Sequence, residues 1–137
     1  MARSNQLSAD GDSPGRALVG VGLIRCAGVM VISVRGELDE STVGDLAEPL
    51  LESVRSGDEV VVDLSSCDYI DSSVLAAIVV AHQTMQREGP ALRLVARLES
   101  QPVRVLRITG LYSYLPVFFN LGAAINDAQA AIAEAPR

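Results

Sequence analysis

The segment at residues 60–77 (VVVDLSSCDYIDSSVLAA) carries the residues best placed for chemistry. Its β-branched start predicts a buried strand, and Asp71, Ser72 and Ser73 follow where a helix is predicted to begin. Such a corner presents hydroxyls at the carboxyl edge of a parallel sheet, where α/β folds place their sites. The same spacing also fits a helix N-cap, in which Asp71 only accepts backbone N–H bonds. From spacing alone the N-cap interpretation is favoured, because such caps begin many helices.

Signatures of an enzyme active site are missing from the sequence. It contains no nucleophile-elbow motif, no phosphate-binding loop ending in Gly-Lys-Ser/Thr and no dinucleotide-binding glycine motif. The single histidine, His82, is predicted about three turns along the helix that starts at Ser72, too far away for a Ser–His nucleophilic pair. We therefore interpret His82 as a solvated helix residue and predict that the protein is not an enzyme.

The two cysteines offer neither a disulfide scaffold nor, with one histidine, a zinc site of the usual kind, so no metal is predicted. Cys67 lies close to Ser72 in sequence, which invites interpretation as a redox switch. Cys26, however, ends the first predicted strand at the opposite edge of the sheet, about a strand length from Cys67 and beyond disulfide reach. Ordinary use of both as small residues is the favoured interpretation.

Alternating strands and helices must position this segment. A turn at Ala27-Gly28 predicts an antiparallel hairpin of strands over residues 17–26 and 29–35. Further strands are predicted at 59–64, 92–96 and 116–119, with a polar loop at 65–68 and helices in the remaining connections. For the first of these helices, Ser41, Thr42 and Asp45 are the alternative N-caps. The order β-β-α-β-α-β-α-β-α implies an α/β fold with a mixed, mostly parallel five-stranded sheet and about four helices.

Length and composition bound the remaining possibilities. A chain of 137 residues can bury one core, and its 49% hydrophobic content excludes a disordered protein. A net charge of −6 argues against nucleic-acid binding, and the longest apolar run, 74–81, is too short to cross a bilayer. Residues 1–16 are predicted to be a disordered tail before a single domain over 17–137. The start lacks a signal peptide, so a cytoplasmic protein is expected.

Three short motifs stand in order along this series of elements. Gly36-Glu37-Leu38-Asp39 follows the second strand, Ile70-Asp71-Ser72-Ser73 follows the third, and Thr109-Gly110-Leu111 closes a later helix. With these motifs, the chain over residues 17–134 resembles a STAS domain of the anti-sigma factor antagonist family. The resemblance implies the STAS variant of the α/β fold.

In proteins that it is similar to, the serine directly after the Asp is phosphorylated by an anti-sigma factor that is itself a serine kinase. The resemblance places that role on Ser72, with Ser73 as the alternative. The unphosphorylated antagonist binds the anti-sigma factor and so frees the sigma factor; phosphorylation breaks the complex and a serine phosphatase restores it. No cofactor is implied. The residues expected to bind the partner are Asp39, Asp68, Ile70, Asp71, Ser72, Ser73 and Val74.

Two positions and the function itself keep alternatives open. Many relatives have Gly where this chain has Val74, and the added bulk leaves partner identity and kinase access to Ser72 open. Asp39 is either a partner contact or only a capping residue. The alternative functions are a STAS subunit of a membrane or lipid transport complex and a scaffold in a signalling assembly. The oligomeric state stays open between a monomer and a weak dimer.

Overall fold

One mixed sheet organises the computed structural model, which describes residues 20–135. Its strands lie side by side in chain order and are β1 (Gly20–Cys26), β2 (Val29–Leu38), β3 (Glu59–Ile70), β4 (Leu92–Val95) and β5 (Val117–Phe118). β1 is antiparallel to β2, and the remaining neighbours are parallel. The predicted α/β architecture is confirmed. The tail predicted over residues 1–16 lies outside the described residues, as do residues 17–19 of the first predicted strand.

Four helices cover the two faces of this sheet. They are α1 (Gly44–Ser56), α2 (Ser72–Glu88), α3 (Gln101–Ile108) and α4 (Leu121–Glu134). α1, α2 and α3 pack on one face and form the larger hydrophobic cluster, while α4 packs on the other face through Ala124 and Ala128. Because helices lie on both faces, the first halves of β2 and β3 contain runs that are apolar on both sides, 29–32 and 60–62.

The hairpin between β1 and β2 forms as predicted. Its two central residues, Ala27 and Gly28, both have positive φ, 50° and 85°. Two-residue hairpins need this conformation because its twist matches the twist of the strands. A side chain at Gly28 would also crowd Ile132 of α4, since a Cβ atom there would lie 3.0 Å from the isoleucine Cδ1.

β2 and β3 are longer than predicted. Residues 65–68, expected to be a loop, belong to β3, and β2 continues through Glu37 to Leu38. The two strands stay paired along this extension, and the register shifts at Ser33/Arg35 and Gly36/Glu37 each place one extra residue in β3. Polar composition misled the prediction, because from Leu64 onward only every third residue of β3, namely Leu64, Cys67 and Ile70, is buried in the core.

The start of α1 differs from all three predicted N-caps. Val43 occupies the N-cap position, and no side chain bonds to the first helical N–H groups. Ser41 and Thr42 instead belong to the preceding turn, and Asp45 already lies within the first helical turn. Carbonyl groups of residues 42 and 43 accept the first backbone N–H bonds, so the helix starts without the side-chain oxygen that usually supplies a cap.

His82 is buried and not solvated, so that interpretation is wrong. His82 lies on the buried face of α2, with 4% of the residue exposed. The Tyr114 ring contacts its ring edge to face, with the two ring centroids 5.1 Å apart. Neither ring nitrogen has a hydrogen-bond partner among residues 20–135. Burial lowers the pKa of His82, which favours the neutral ring at neutral pH. The polar residues that follow His82 gave no sign that a segment thirty residues later would cover it.

A buried ion cluster joins α4 to the centre of the sheet. Arg93 of β4 is 4% exposed, and its guanidinium bonds to the Glu59 carboxylate at 2.7 Å and to the Asp127 carboxylate at 2.6 Å. Each buried charge therefore has an opposite charge in contact, which offsets part of the cost of removing it from water. The cluster lies on the same face as α4 and connects β3, β4 and α4.

We expect Arg93→Ala to lower the free energy of unfolding by about 3–5 kcal/mol, because Glu59 is left buried without its partner. Urea denaturation at neutral pH measures this loss. The matched control is Arg97→Ala, whose ion pair with Asp68 is long, 3.7 Å, and exposed; we expect it to change stability by less than about 1 kcal/mol. Equal losses in the two variants would show that the cluster does not stabilise the fold.

Candidate functional site

The carboxyl ends of β2 and β3 bring two sequence motifs together. The last residues of these strands, Leu38 and Ile70, are paired in the parallel register and are both buried. Asp39 and Asp71, which directly follow them, therefore leave the sheet side by side. The backbone N–H of Glu40 donates a hydrogen bond of 3.1 Å to Asp71 Oδ2. The structure thus places Asp39 and the Asp-Ser-Ser corner at one edge of the sheet.

Asp71 caps α2 as predicted. Its backbone is extended, and its Oδ1 atom accepts bonds from the N–H of Ser73 at 3.0 Å and of Val74 at 3.2 Å. The Ser73 hydroxyl donates a further bond of 2.6 Å to the same oxygen. These bonds, the Ser73 hydroxyl first, lower the pKa of Asp71, so the carboxylate stays ionised at neutral pH. One carboxylate therefore holds both the helix start and the turn after β2.

The two serines of the motif differ in their surroundings. Ser73 is half-buried, and its hydroxyl already donates to Asp71. Ser72 is exposed, and its hydroxyl has no hydrogen-bond partner among the residues that the structure describes. Ser72 occupies the first position of a seventeen-residue helix, where the helix dipole favours negative charge.

Asp39 organises the turn that leads from β2 to α1. Its Oδ1 atom accepts bonds from the Ser41 N–H at 3.0 Å, from the Ser41 hydroxyl at 2.7 Å and from the Thr42 hydroxyl at 3.2 Å. These bonds, the Ser41 hydroxyl first, lower the pKa of Asp39. The residue is exposed, so a structural role in the turn and a contact with a partner are compatible.

The remaining predicted partner-binding residues divide between surface and core. Asp68 is exposed and carries its charge on the surface beside Arg97. Ile70 and Val74, in contrast, are 1% and 0% exposed and belong to the larger hydrophobic cluster. For these two, the expectation of direct partner contact is corrected, because a buried side chain shapes the surface only from beneath. The bulk of Val74 accordingly faces the core and leaves the surface around Ser72 open.

Gln101 is a positioning residue that the sequence did not reveal. Its side-chain oxygen accepts the Ile70 N–H at 2.9 Å, and its side-chain N–H group donates to the Ile70 carbonyl at 3.0 Å. This pair of bonds ties the first residue of α3 to the backbone directly before Asp71. A glutamine at a predicted helix start gave no signal for it, because the two residues lie thirty-one positions apart.

Cys67 lies beneath the surface of the same segment. It is 0% exposed, and its thiol contacts the Tyr69 carbonyl at 3.4 Å. Burial is the main cause that raises the pKa of the Cys67 thiol, so little reactive thiolate is present at neutral pH. Cys26 is exposed at the other end of the sheet, and neither cysteine forms a disulfide. The arrangement favours ordinary packing over a redox role for Cys67.

Residues 20–135 were found to contain neither a cluster of metal ligands nor a membrane-spanning helix. No group of three or more His, Cys, Asp or Glu side chains in this range is arranged to hold a metal ion. No helix within it is both long enough and apolar enough to span a bilayer.

We expect Gln101→Leu to speed amide hydrogen exchange at Ile70 by about tenfold or more, because two hydrogen bonds of about 1 kcal/mol each are lost. Exchange followed by NMR measures the rate residue by residue. Gln83→Leu is the matched control, since Gln83 is exposed on α2. Unchanged exchange at Ile70 in Gln101→Leu would show that this side chain does not hold the strand end.

We also expect one thiol of the native protein to react rapidly with Ellman's reagent at neutral pH. That thiol is Cys26, so Cys26→Ser removes the fast reaction, whereas Cys67→Ala retains it. Denaturant should expose Cys67, so that the unfolded wild-type protein shows two reactive thiols. Fast reaction of native Cys26→Ser would contradict the burial of Cys67.

The sequence and the structure were compared with known proteins. A search among curated protein sequences finds no significant match. The structure is similar to an anti-sigma factor antagonist from Mycobacterium paratuberculosis, with a TM-score of 0.73 and 25% identity over 82% of this chain and 95% of the other.

Three further solved structures share the fold at lower identity. The anti-sigma factor antagonist SpoIIAA matches in its unphosphorylated form (TM-score 0.69, 16% identity, 81% of this chain and 97% of the other). The phosphorylated form of SpoIIAA from Bacillus also matches (TM-score 0.62, 18% identity, 79% and 98%). A sulfate transporter family protein from Wolinella succinogenes matches as well (TM-score 0.66, 16% identity, 80% and 92%). These identities show the fold alone.

The family itself is established by sequence. The model of the STAS domain family matches residues 24–124, a range that runs from β1 into α4 and includes the whole Asp71 corner. Together with the shared sheet order and helix placement, this match shows that the chain belongs to the STAS domain family.

Proposed function

We propose that this protein is an anti-sigma factor antagonist that binds an anti-sigma factor with serine kinase activity and is released from it by phosphorylation of Ser72. The observation that carries the proposal is the exposed, unengaged Ser72 hydroxyl at the start of α2, beside the Asp39 turn. The likeness to a mycobacterial anti-sigma factor antagonist over nearly its whole chain supports it. Such a partner would place the protein in the bacterial cytoplasm.

The hydrogen bonds at the corner favour Ser72 over Ser73 as the phosphate acceptor. A kinase needs a hydroxyl that it can reach and deprotonate. Modification of Ser73 would break its bond to Asp71 and bring a phosphate against that carboxylate. Modification of Ser72 breaks no hydrogen bond within the described part of the chain.

A phosphate on Ser72 is compatible with the fold. The Ser73 and Val74 N–H groups are already bonded to Asp71, but the helix dipole at the start of α2 still favours an anion at this position. The likeness of this fold to SpoIIAA in both its unphosphorylated and phosphorylated forms is consistent with such tolerance.

The same phosphate would oppose docking of a partner. It adds roughly −1.5 to −2 charges at neutral pH to a surface that already carries Asp39, Glu40, Asp68 and Asp71. An interface shaped around a neutral hydroxyl would have to remove this charge from water without a matching cation, which is costly. We therefore attribute the switch to rejection at the interface, with the domain itself unchanged. A serine phosphatase would reverse it.

The test of the proposal begins with candidate serine-kinase anti-sigma factors from the same genome, incubated with this protein and Mg-ATP. Mass spectrometry should locate one phosphate on Ser72. Ser72→Ala should abolish it, and the matched control Ser73→Ala should keep it. Phosphate found only at another residue would overturn the site assignment.

Binding to the unmodified partner tests the switch separately. We expect Ser72→Glu to weaken binding by about tenfold or more, equivalent to at least about 1.4 kcal/mol, while Ser72→Ala keeps it. Isothermal titration calorimetry measures both. Equal affinity of Ser72→Glu and the wild type would refute interface rejection. Binding to a transporter subunit in place of any anti-sigma factor would favour the transport alternative.

A further inference from the structure

Within residues 20–135, no strand pairs with the outer edge of β1. Among the described residues only β2 pairs with β1, and all seven β1 residues take part in that pairing. Alternate residues of such an edge strand direct N–H and C=O groups away from the sheet. These groups form a template to which another strand can add.

Two large apolar side chains stand on this edge strand. Leu23 is 53% exposed and Ile24 is 64% exposed. Because they are consecutive in a strand, they lie on opposite faces of the sheet. A strand added beside β1 would therefore cover apolar surface on both faces at once.

β1 lacks the features that usually protect an edge. It contains no proline, its register with β2 has no bulge, and its single charge, Arg25, forms an ion pair with Asp58. The opposite edge of the sheet is protected because its strand, β5, is only two residues long. Sheets avoid edge pairing through short strands, bulges, prolines or unpaired charges. Strand β5 has the first of these features, and β1 has none of them.

We propose that β1 pairs antiparallel with β1 of a second copy of this chain, forming a two-fold symmetric dimer with one continuous sheet. An antiparallel strand is complementary to itself about a two-fold axis, and here no unpaired charge meets its copy. The protected β5 edge leaves no second site for growth, so the assembly closes as a dimer.

The chain's own N-terminal segment fits this edge poorly. Residues 1–16 contain no valine, isoleucine, threonine or aromatic residue, the types that favour strands. The dimer also leaves Ser72 accessible, because β2 lies between the free edge of β1 and β3, the strand that leads into Ser72. The inference does not depend on the proposed function.

Light scattering coupled to gel filtration of the full chain tests this pairing. We expect a mass near twice the 14.5 kDa of the chain. Ile24→Lys should raise the dimer dissociation constant by about tenfold or more, because two like charges approach across the two-fold axis. The matched control is Ile108→Lys at the end of α3, where the isoleucine is 84% exposed. Helix α3 packs against β3, which is two strands away from the free edge, so this variant should remain dimeric.

A wild-type monomer at all concentrations would overturn the proposal. So would an Ile24→Lys variant that is as dimeric as the wild type, or an Ile108→Lys variant that is monomeric, since either places the interface elsewhere.

A second measurement covers the case in which Ile24→Lys fails to fold. Cys26 is exposed at the end of β1 and can carry a spin label, whereas Cys67 is buried. Pairing centred on Leu23 places the two Cys26 Cα atoms about 20 Å apart, from a rise of about 3.4 Å per residue. Double electron–electron resonance should report a distance between the two spin labels near this value, differing from it only by the length of the label side chains. Absence of dipolar coupling, or a distance beyond about 40 Å, would contradict β1 pairing.

Discussion

The Asp71 carboxylate is the interaction on which the site depends. It joins three pieces of chain: the end of β3, the first N–H groups of α2 and the turn that follows β2. Removal of the carboxyl group would leave the Glu40 and Val74 N–H groups without this acceptor, and protonation would weaken the bonds that they donate to it. Because all these bonds stabilise the ionised form, the carboxylate stays charged and the corner stays fixed at neutral pH. The exposed serine beside it is therefore presented on a rigid base.

Other contacts hold this corner from behind and beneath. Gln101 bonds to both backbone groups of Ile70, while the side chains of Ile70 and Val74 anchor the corner in the core. A corner fixed from several sides suits a switch that acts by charge. Modification of Ser72 would change the surface potential without needing the fold to move, and a partner that reads the surface would respond to the charge alone.

Under these proposals, two separate surfaces of the sheet bind different partners. Acidic residues and the free hydroxyl gather at the carboxyl ends of β2 and β3, whereas the apolar, unpaired edge lies along β1. Edge pairing uses backbone groups and apolar area, and partner docking at Ser72 uses polar groups and charge. Since β2 lies between the free edge of β1 and the strand that leads into Ser72, a dimer would present two independent sites.

The sequence by itself determined the features that local physics controls. The Ala27-Gly28 turn, the N-cap at Asp71 and the order of strands and helices all follow from contacts within a few residues. The position of the Asp71 corner at the carboxyl edge followed from the parallel order alone.

Only the tertiary structure decided features that depend on distant segments. His82 is buried because Tyr114 covers it, residues 65–68 are a strand because β2 extends beside them, and Arg93 is buried because Glu59 and Asp127 neutralise it. Gln101 reaches Ile70 for the same kind of reason. These partners lie about thirty positions away in sequence, and hydrophobic periodicity and capping preferences describe only neighbours along the chain.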